Sequence, residues 1–408
     1  MAVDLVQHNE GIRKLLNNIS TVVLASLIST GLAVALLLRT DLMTYDHPDF
    51  FKPADHHKYI YMATHSLGDF RIAPFCWRIG LPLLIQVLPF KVQSGFLLVT
   101  LLSIGGTGLV LWSLIKSMGY SDLESFFAIL LYFSIPWGPK YQLYNFWLPD
   151  ALSLLIVSLV FYFTVRQKPW LVGVILGLGV LVKEAVIFAT PLVYTLQARR
   201  IVDVSQLRKT LFVVLLPILL LIIVRTVIPA RNHDPNYLAS LPPELSQVQR
   251  GTAEYSLIYL LNNIAKERIE QASPRELYRW TIGSFGLLPI FLGLLGVFKN
   301  SNLALRLSPF ILLSSCQPLF AVNVQRLVVL ASPAVVLLAI VGAEELIEHL
   351  PLFSHLLLPL GFLSLLPNLI IYRRFLPGIE IYVFAFQMLI VGGAALVCLI
   401  LQRSPRKQ

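Results

Sequence analysis

The sequence predicts an all-α bundle of membrane-spanning helices, and three observations carry that expectation. Of the 408 residues 56% are hydrophobic and only 13% are charged, whereas ordinary soluble domains carry about 25% charged residues. Mean hydropathy is +0.74. The apolar residues also fall into long runs, several of them sufficient to cross roughly 30 Å of hydrocarbon. One integral membrane domain over 1–408 is expected.

The first run, Ile19 to Leu38, follows Arg13 and Lys14. Ala33-Val34-Ala35 imitates a signal-peptide cleavage site, but the run continues through Leu36-Leu37-Leu38, so an uncleaved first helix is expected. In all, about twelve membrane segments are predicted. They lie near 19–38, 94–115, 123–138, 149–165, 170–182, 185–197, 210–228, 280–298, 308–322, 327–343, 355–372 and 379–401. Two longer polar stretches separate them, 39–93 and 229–279. The first holds short amphipathic pieces at Lys58–Leu67 and Ile79–Leu88. The second holds an amphipathic helix near Ala253–Ile269, of the kind that lies on a membrane surface.

The stretch 170–197 decides the topology. It is either one tilted helix containing Lys183-Glu184 or two short arms joined at that pair. Arg166 and Lys168 precede it, and Arg199, Arg200, Arg208 and Lys209 follow. Positive residues favour the cytoplasmic side of short loops, and a hairpin puts both clusters there. Both termini are then cytoplasmic in a multi-pass plasma-membrane protein. The loops 39–93 and 229–279 share the outer face with the turns near 139–148, 183–184 and 323–326.

The net charge of +10 reads as topology signal and contact with membrane lipid headgroups. Basic stripes interleaved with exposed aromatics are absent, so nucleic acid is not expected as a partner. Cys76, Cys316 and Cys398 have neither disulfide-framework nor metal spacing. No P-loop stands out. Trp77, Trp137, Tyr144, Trp147 and Trp280 near segment ends read mostly as interface-belt aromatics.

The outer loop reads Tyr45-Asp46-His47-Pro48, then Ala54-Asp55-His56-His57-Lys58-Tyr59, then Arg78-Ile79-Gly80-Leu81-Pro82. Asn145-Phe146-Trp147-Leu148-Pro149-Asp150 opens a later helix. Lys183-Glu184 follows a glycine-rich apolar run, and Asn323-Val324-Gln325-Arg326 precedes Leu327. This ordered set resembles the GT-C superfamily of membrane glycosyltransferases, particularly its bacterial branches. Many members place an Asp four residues before a Tyr in the first outer loop, followed by Arg-x-x-x-Pro. Asp55 to Tyr59 and Arg78 to Pro82 match that arrangement. The resemblance implies a polyprenyl-phosphate sugar donor, an acceptor hydroxyl on a glycolipid, polysaccharide or protein of the cell envelope, and inversion at the anomeric carbon.

The chemistry explains the residue types. Glycosyl transfer passes through an oxocarbenium-like state, and an inverting transfer needs a carboxylate to take the acceptor proton. Asp55 is the expected base, with Asp46 and Asp150 as further catalytic candidates. A departing lipid phosphate gathers negative charge that cations must meet; Arg78, Lys183 and Arg326 are the candidates, with Glu184 and Tyr59 supporting. Each residue also has a plainer reading. Asp55 caps the following helix, Asp46 sits in a turn, and Asp150 answers a helix dipole. Arg78 snorkels to headgroups, Lys183-Glu184 forms an interfacial turn, and Arg326 anchors a helix end.

His47, His56, His57 and His65 beside Asp46 and Asp55 invite a metal, and some GT-C enzymes use a divalent cation. Hard cations prefer oxygen ligands, however, and these histidines fit no zinc spacing. No metal ligand is assigned. Two other functions compete: a secondary transporter or lipid-linked-glycan flippase, and an inactive GT-C-like assembly subunit. Charge clustered at one face under a long first loop favours the enzyme.

Overall fold

The computed structural model describes residues 2–246, 266–270, 273–317, 324–372 and 382–393. Among them the chain is all-helical, without strands. Five helices are long and apolar enough to cross a membrane, and a sixth span is added if a helix pair bent by 93° at Gly286 counts as one. Several runs read from the sequence as single segments are thus short or broken helices. The predicted amphipathic helix at Ala253–Ile269 falls mainly outside the described residues, as does part of 379–401.

Three of those five helices are α1 (Ala2–Leu38), whose apolar part is Ile19–Leu38, α4 (Val92–Ser117) and a later helix, Val204–Val227. Their outward faces remain apolar: Leu211 is 61% and Phe212 75% exposed on the third of them. A stripe of that size on a water-soluble protein would be an association surface; lipid accommodates it at no cost. Between α1 and α4 lie the two short helices of the first loop, α2 (His56–Thr64) and α3 (Gly80–Val87).

After α4 come α5 (Asp122–Ser134), a wide turn at Pro136–Lys140, the single turn α6 (Tyr141–Tyr144), then α7 (Asp150–Val165) and α8 (Pro169–Val182). Ser121 and Glu124 close a capping box at the start of α5, which fixes that helix end. The segment predicted as 123–138 therefore stops at Ser134, where Pro136 and Pro139 remove backbone donors.

The chain doubles back at Lys183. That residue is extended (φ −161°, ψ 127°) and ends α8, and Glu184–Ala189 and α9 (Thr190–Thr195) return. Val186 packs onto Gly179. At the foot of the pair Gln197 Nε2 donates to Thr164 O at 2.6 Å, beside the end of α7. The arms are about 20 Å long at 1.5 Å per residue, so Lys183 lies inside the bundle rather than beyond it.

Val204–Val227 is α10. The remaining long elements are α11 (Leu287–Lys299), α12 (Ser301–Cys316), α13 (Ser332–His349) and α14 (Phe353–Leu366). Helices α11 and α13 touch backbone to backbone. A Cβ at Gly296 would stand 1.9 Å from Leu338 O, and one at Gly342 1.9 Å from Leu292 O. Small residues permit such approaches where lipid provides no hydrophobic drive between helices.

One end of the bundle collects the loops. Met43 N donates to Tyr144 O at 2.9 Å, and Trp147 Nε1 to Met43 O at 2.6 Å. Residues 228–237 then strap the first loop: Trp77 Nε1 donates to Ile228 O (3.0 Å), Arg231 N to Arg71 O (2.8 Å) and Ala73 N to Asn232 Oδ1 (2.8 Å). Tyr237 OH accepts from Arg71 N and donates to Asp69 O. Trp147 is completely buried and Trp77 is 8% exposed, so these two are core residues of the loop assembly and not belt aromatics. Their indole N–H groups find carbonyls, as burial requires.

Candidate functional site

Beneath the strapped loops lies a connected set of buried charges. Asp55 sits immediately before α2 in helical conformation, and its side chain makes no capping hydrogen bond. It turns instead to Arg326, whose Nη2 donates to Oδ2 at 2.7 Å. Arg326 belongs to the short helix Val324–Val328 that leads into α13. Its Nη1 also stands 3.5 Å from Asp150 Oδ2. Asp150 is the first residue of α7, where the positive helix end favours a carboxylate. Its Oδ1 accepts from Lys183 Nζ at 2.5 Å.

The other half of the set begins at Glu184. Lys183 and Glu184 are neighbours in sequence but face different partners. Glu184 Oε2 accepts from Arg78 Nε at 2.8 Å, and Arg78 Nη1 donates to Tyr59 OH at 3.2 Å. Gly80 makes this meeting possible: a Cβ there would lie 2.9 Å from the Val182 side chain and 3.0 Å from Leu181 C. Without a side chain, the loop after Arg78 closes directly onto the end of α8.

Seven of the eight residues singled out from the sequence are therefore brought together: Asp55, Tyr59, Arg78, Asp150, Lys183, Glu184 and Arg326. Asp46 is the exception; it is exposed, in keeping with a turn residue. The helix-cap reading of Asp55 and the snorkelling reading of Arg78 do not describe their side chains. Arg326 is 13% exposed and Asp150 and Lys183 are 8% exposed, too enclosed for surface anchors.

Sequence reasoning missed Lys58. It is 4% exposed, its Nζ is 3.6 Å from Asp55 Oδ1, and it lies 3.9 Å from the centre of the Phe75 ring. Arg78 shares that ring at 5.0 Å. The spacing from Asp55 to Lys58, three residues on a helix, was the available signal. Four cations thus face three carboxylates, leaving one surplus positive charge. Three buried atoms of the set make no hydrogen bond: Arg326 Nε, Glu184 Oε1 and Asp150 Oδ2.

The electrostatics of the loop residues follow from this enclosure. Burial pushes the Asp55 carboxyl up, but the charges of Arg326 and Lys58 outweigh it and hold it below its ordinary value. Burial pulls Lys58 below the usual lysine range against the opposing pull of Asp55. The Tyr59 phenol is pushed up to about 12 by burial, so it stays neutral and can donate or accept.

The histidines form a separate aromatic group. Burial and the neighbouring His57 depress His56 to about 4. Its Nε2 meets Phe50 O at 2.9 Å, which requires the proton on that nitrogen. His47 stands 3.7 Å from Asp41. Among the described residues no group of three or more His, Cys, Asp or Glu gathers to hold a metal. The carboxylates of the charge set each face a cation, so their donor set does not fit a divalent ion.

The arrangement supplies an ionised carboxylate in a loop at the bundle end, with two buried and two half-buried cations around it. Such a set can receive an anionic group and take a proton beside it. The sequence matches no protein-family model and no curated protein.

Proposed function

We propose that this chain is a GT-C-type glycosyltransferase of the plasma membrane. In this reading it moves one sugar from a polyprenyl-phosphate donor to an acceptor hydroxyl on the outer face, with both termini cytoplasmic. The observation that carries the reading is the single path from Lys58 through Asp55, Arg326 and Asp150 to Lys183. Its members come from four separate parts of the sequence. Enclosing so many charges is expensive, and ionisable groups at membrane depth are by default functional.

The reaction runs as one displacement. The acceptor oxygen attacks the anomeric carbon as its proton passes to Asp55. The bond from that carbon to the phosphate oxygen breaks, its electron pair leaves with the polyprenyl phosphate, and configuration inverts. Arg326, Lys183 and Arg78 meet the growing charge, with Arg suited to two-point contacts and Lys acting as a point charge. Arg326 Nε is a buried donor still able to take a phosphate oxygen.

The direct test supplies purified protein with a panel of polyprenyl-phosphate sugars and follows transfer or hydrolysis. Release of polyprenyl phosphate from at least one donor, lost in Asp55→Asn, is the expected result. Movement of intact lipid-linked sugar across proteoliposomes without cleavage would assign the chain to transport instead.

A further inference from the structure

Asp55 has a different cation on each oxygen. Arg326 Nη2 donates to Oδ2 at 2.7 Å, and Lys58 Nζ stands 3.6 Å from Oδ1. These two cations are held in different ways. Lys58 follows Asp55 on the same short helix, is buried, and rests over the Phe75 ring. Arg326 arrives from the far end of the sequence. It is shared with Asp150 at 3.5 Å and keeps one buried N–H unused.

We infer that Lys58 is a positioning residue that retains Asp55 while Arg326 passes from Asp55 to the donor phosphate. The inference rests on the phosphate-donor reading above and adds a competition to it. A guanidinium edge that is bonded to a carboxylate is not available to a phosphate. A phosphate that enters at the unused Nε and takes the two-point contact of that edge therefore displaces Asp55 from Arg326 Nη2. Losing the guanidinium leaves an enclosed carboxylate short of counter-charge, which is unfavourable. Lys58 removes that obstacle, because it shares a helical turn with Asp55 and moves with it. The exchange also releases the base only when the donor is present, so that Asp55 turns to the acceptor at the right stage.

The experiment measures binding of polyprenyl monophosphate to the full-length protein in detergent micelles, where no sugar transfer occurs. Asp55→Asn is expected to bind about tenfold more tightly than wild type, because Arg326 is no longer contested. Lys58→Met is expected to bind about tenfold more weakly. In the Asp55→Asn background the same Lys58→Met change should have no effect, since there is no carboxylate left to retain. Lys58→Arg keeps the charge over Phe75 and should restore wild-type binding. Equal weakening by Lys58→Met in both backgrounds would make Lys58 a direct phosphate contact and overturn the proposal. Unchanged affinity in Asp55→Asn would abolish the competition while leaving the donor reading intact. Wild-type protein that binds no polyprenyl phosphate at all would remove that reading, and this inference with it.

Discussion

Each end of α13 has one cation between two carboxylates, but in opposite settings. Just before its start, Arg326 bridges Asp55 and Asp150 in an enclosed network. Near its other end, some 27 Å away at 1.5 Å per residue, Lys299 meets Glu345 at 2.7 Å and also pairs with Glu348. The glycine contact between α11 and α13 brings those partners together, but Glu348 is half exposed there. His349 beside them is 70% exposed. Water screens the second cluster, and ion pairs of that sort contribute little. The first cluster is largely enclosed, so each member depends on its partners. Charge identity is equal at the two ends; burial separates a site from a solvated face.

The largest effect that sharpens this contrast is on folding. Lys183→Met leaves Asp150 with only its longer contact to Arg326. Removing one partner of a buried pair costs about 3–5 kcal/mol. Thermal unfolding in detergent should show that loss, whereas Lys299→Met should scarcely move the transition. Equal shifts would mean that the enclosed network is no more demanding than the exposed one.

Next comes turnover. Asp55→Asn keeps the shape and loses the base, so transfer should fall by roughly 100-fold or more. Exposed Asp46→Asn should stay near wild type in the same assay. Full activity in both variants would end the first-loop carboxylate mechanism.

Donor affinity should respond less. Arg78→Met removes one charge-assisted contact, about 1.5–3 kcal/mol, or roughly 10- to 100-fold in binding. Unchanged donor binding in folded Arg78→Met would make the Arg78–Glu184 pair purely structural.

The smallest effect is a displacement in pH. Asp55 must be ionised to accept a proton, so activity falls as pH drops through its pKa. In the free protein Arg326 and Lys58 hold that pKa below its ordinary value despite burial. The acid limb of kcat/KM, which reports the free enzyme, should therefore lie below the usual aspartate value of about 3.9. The limb of kcat reports the donor-bound state, in which the proposed exchange takes Arg326 to phosphate. Losing that cation raises the carboxyl, so the kcat limb should lie at higher pH. Coincident limbs would show that Arg326 never leaves Asp55.

Much of this molecule was legible in its sequence because membrane physics acts on composition. Apolar runs declare helices without tertiary help, since a backbone in lipid must satisfy its own hydrogen bonds. The C-terminal ends of α1, α4 and α10 and the break at Lys183-Glu184 follow from where those runs stop. The candidate residues could be named one by one, because Asp, Arg and Lys beside apolar helices have few reasons to be there. Their partners could not. That Lys183 takes Asp150 while Glu184 takes Arg78 depends on the extended geometry at Lys183 and on the close approach at Gly80. Lys58 reads in the sequence as one more loop charge; the fold sets it over Phe75 and beside Asp55. Sequence alone determined which groups are costly in this chain. Only the packing of the loops over the helix ends decided which cation answers which carboxylate, because desolvation and distance belong to the assembled fold and not to any segment of it.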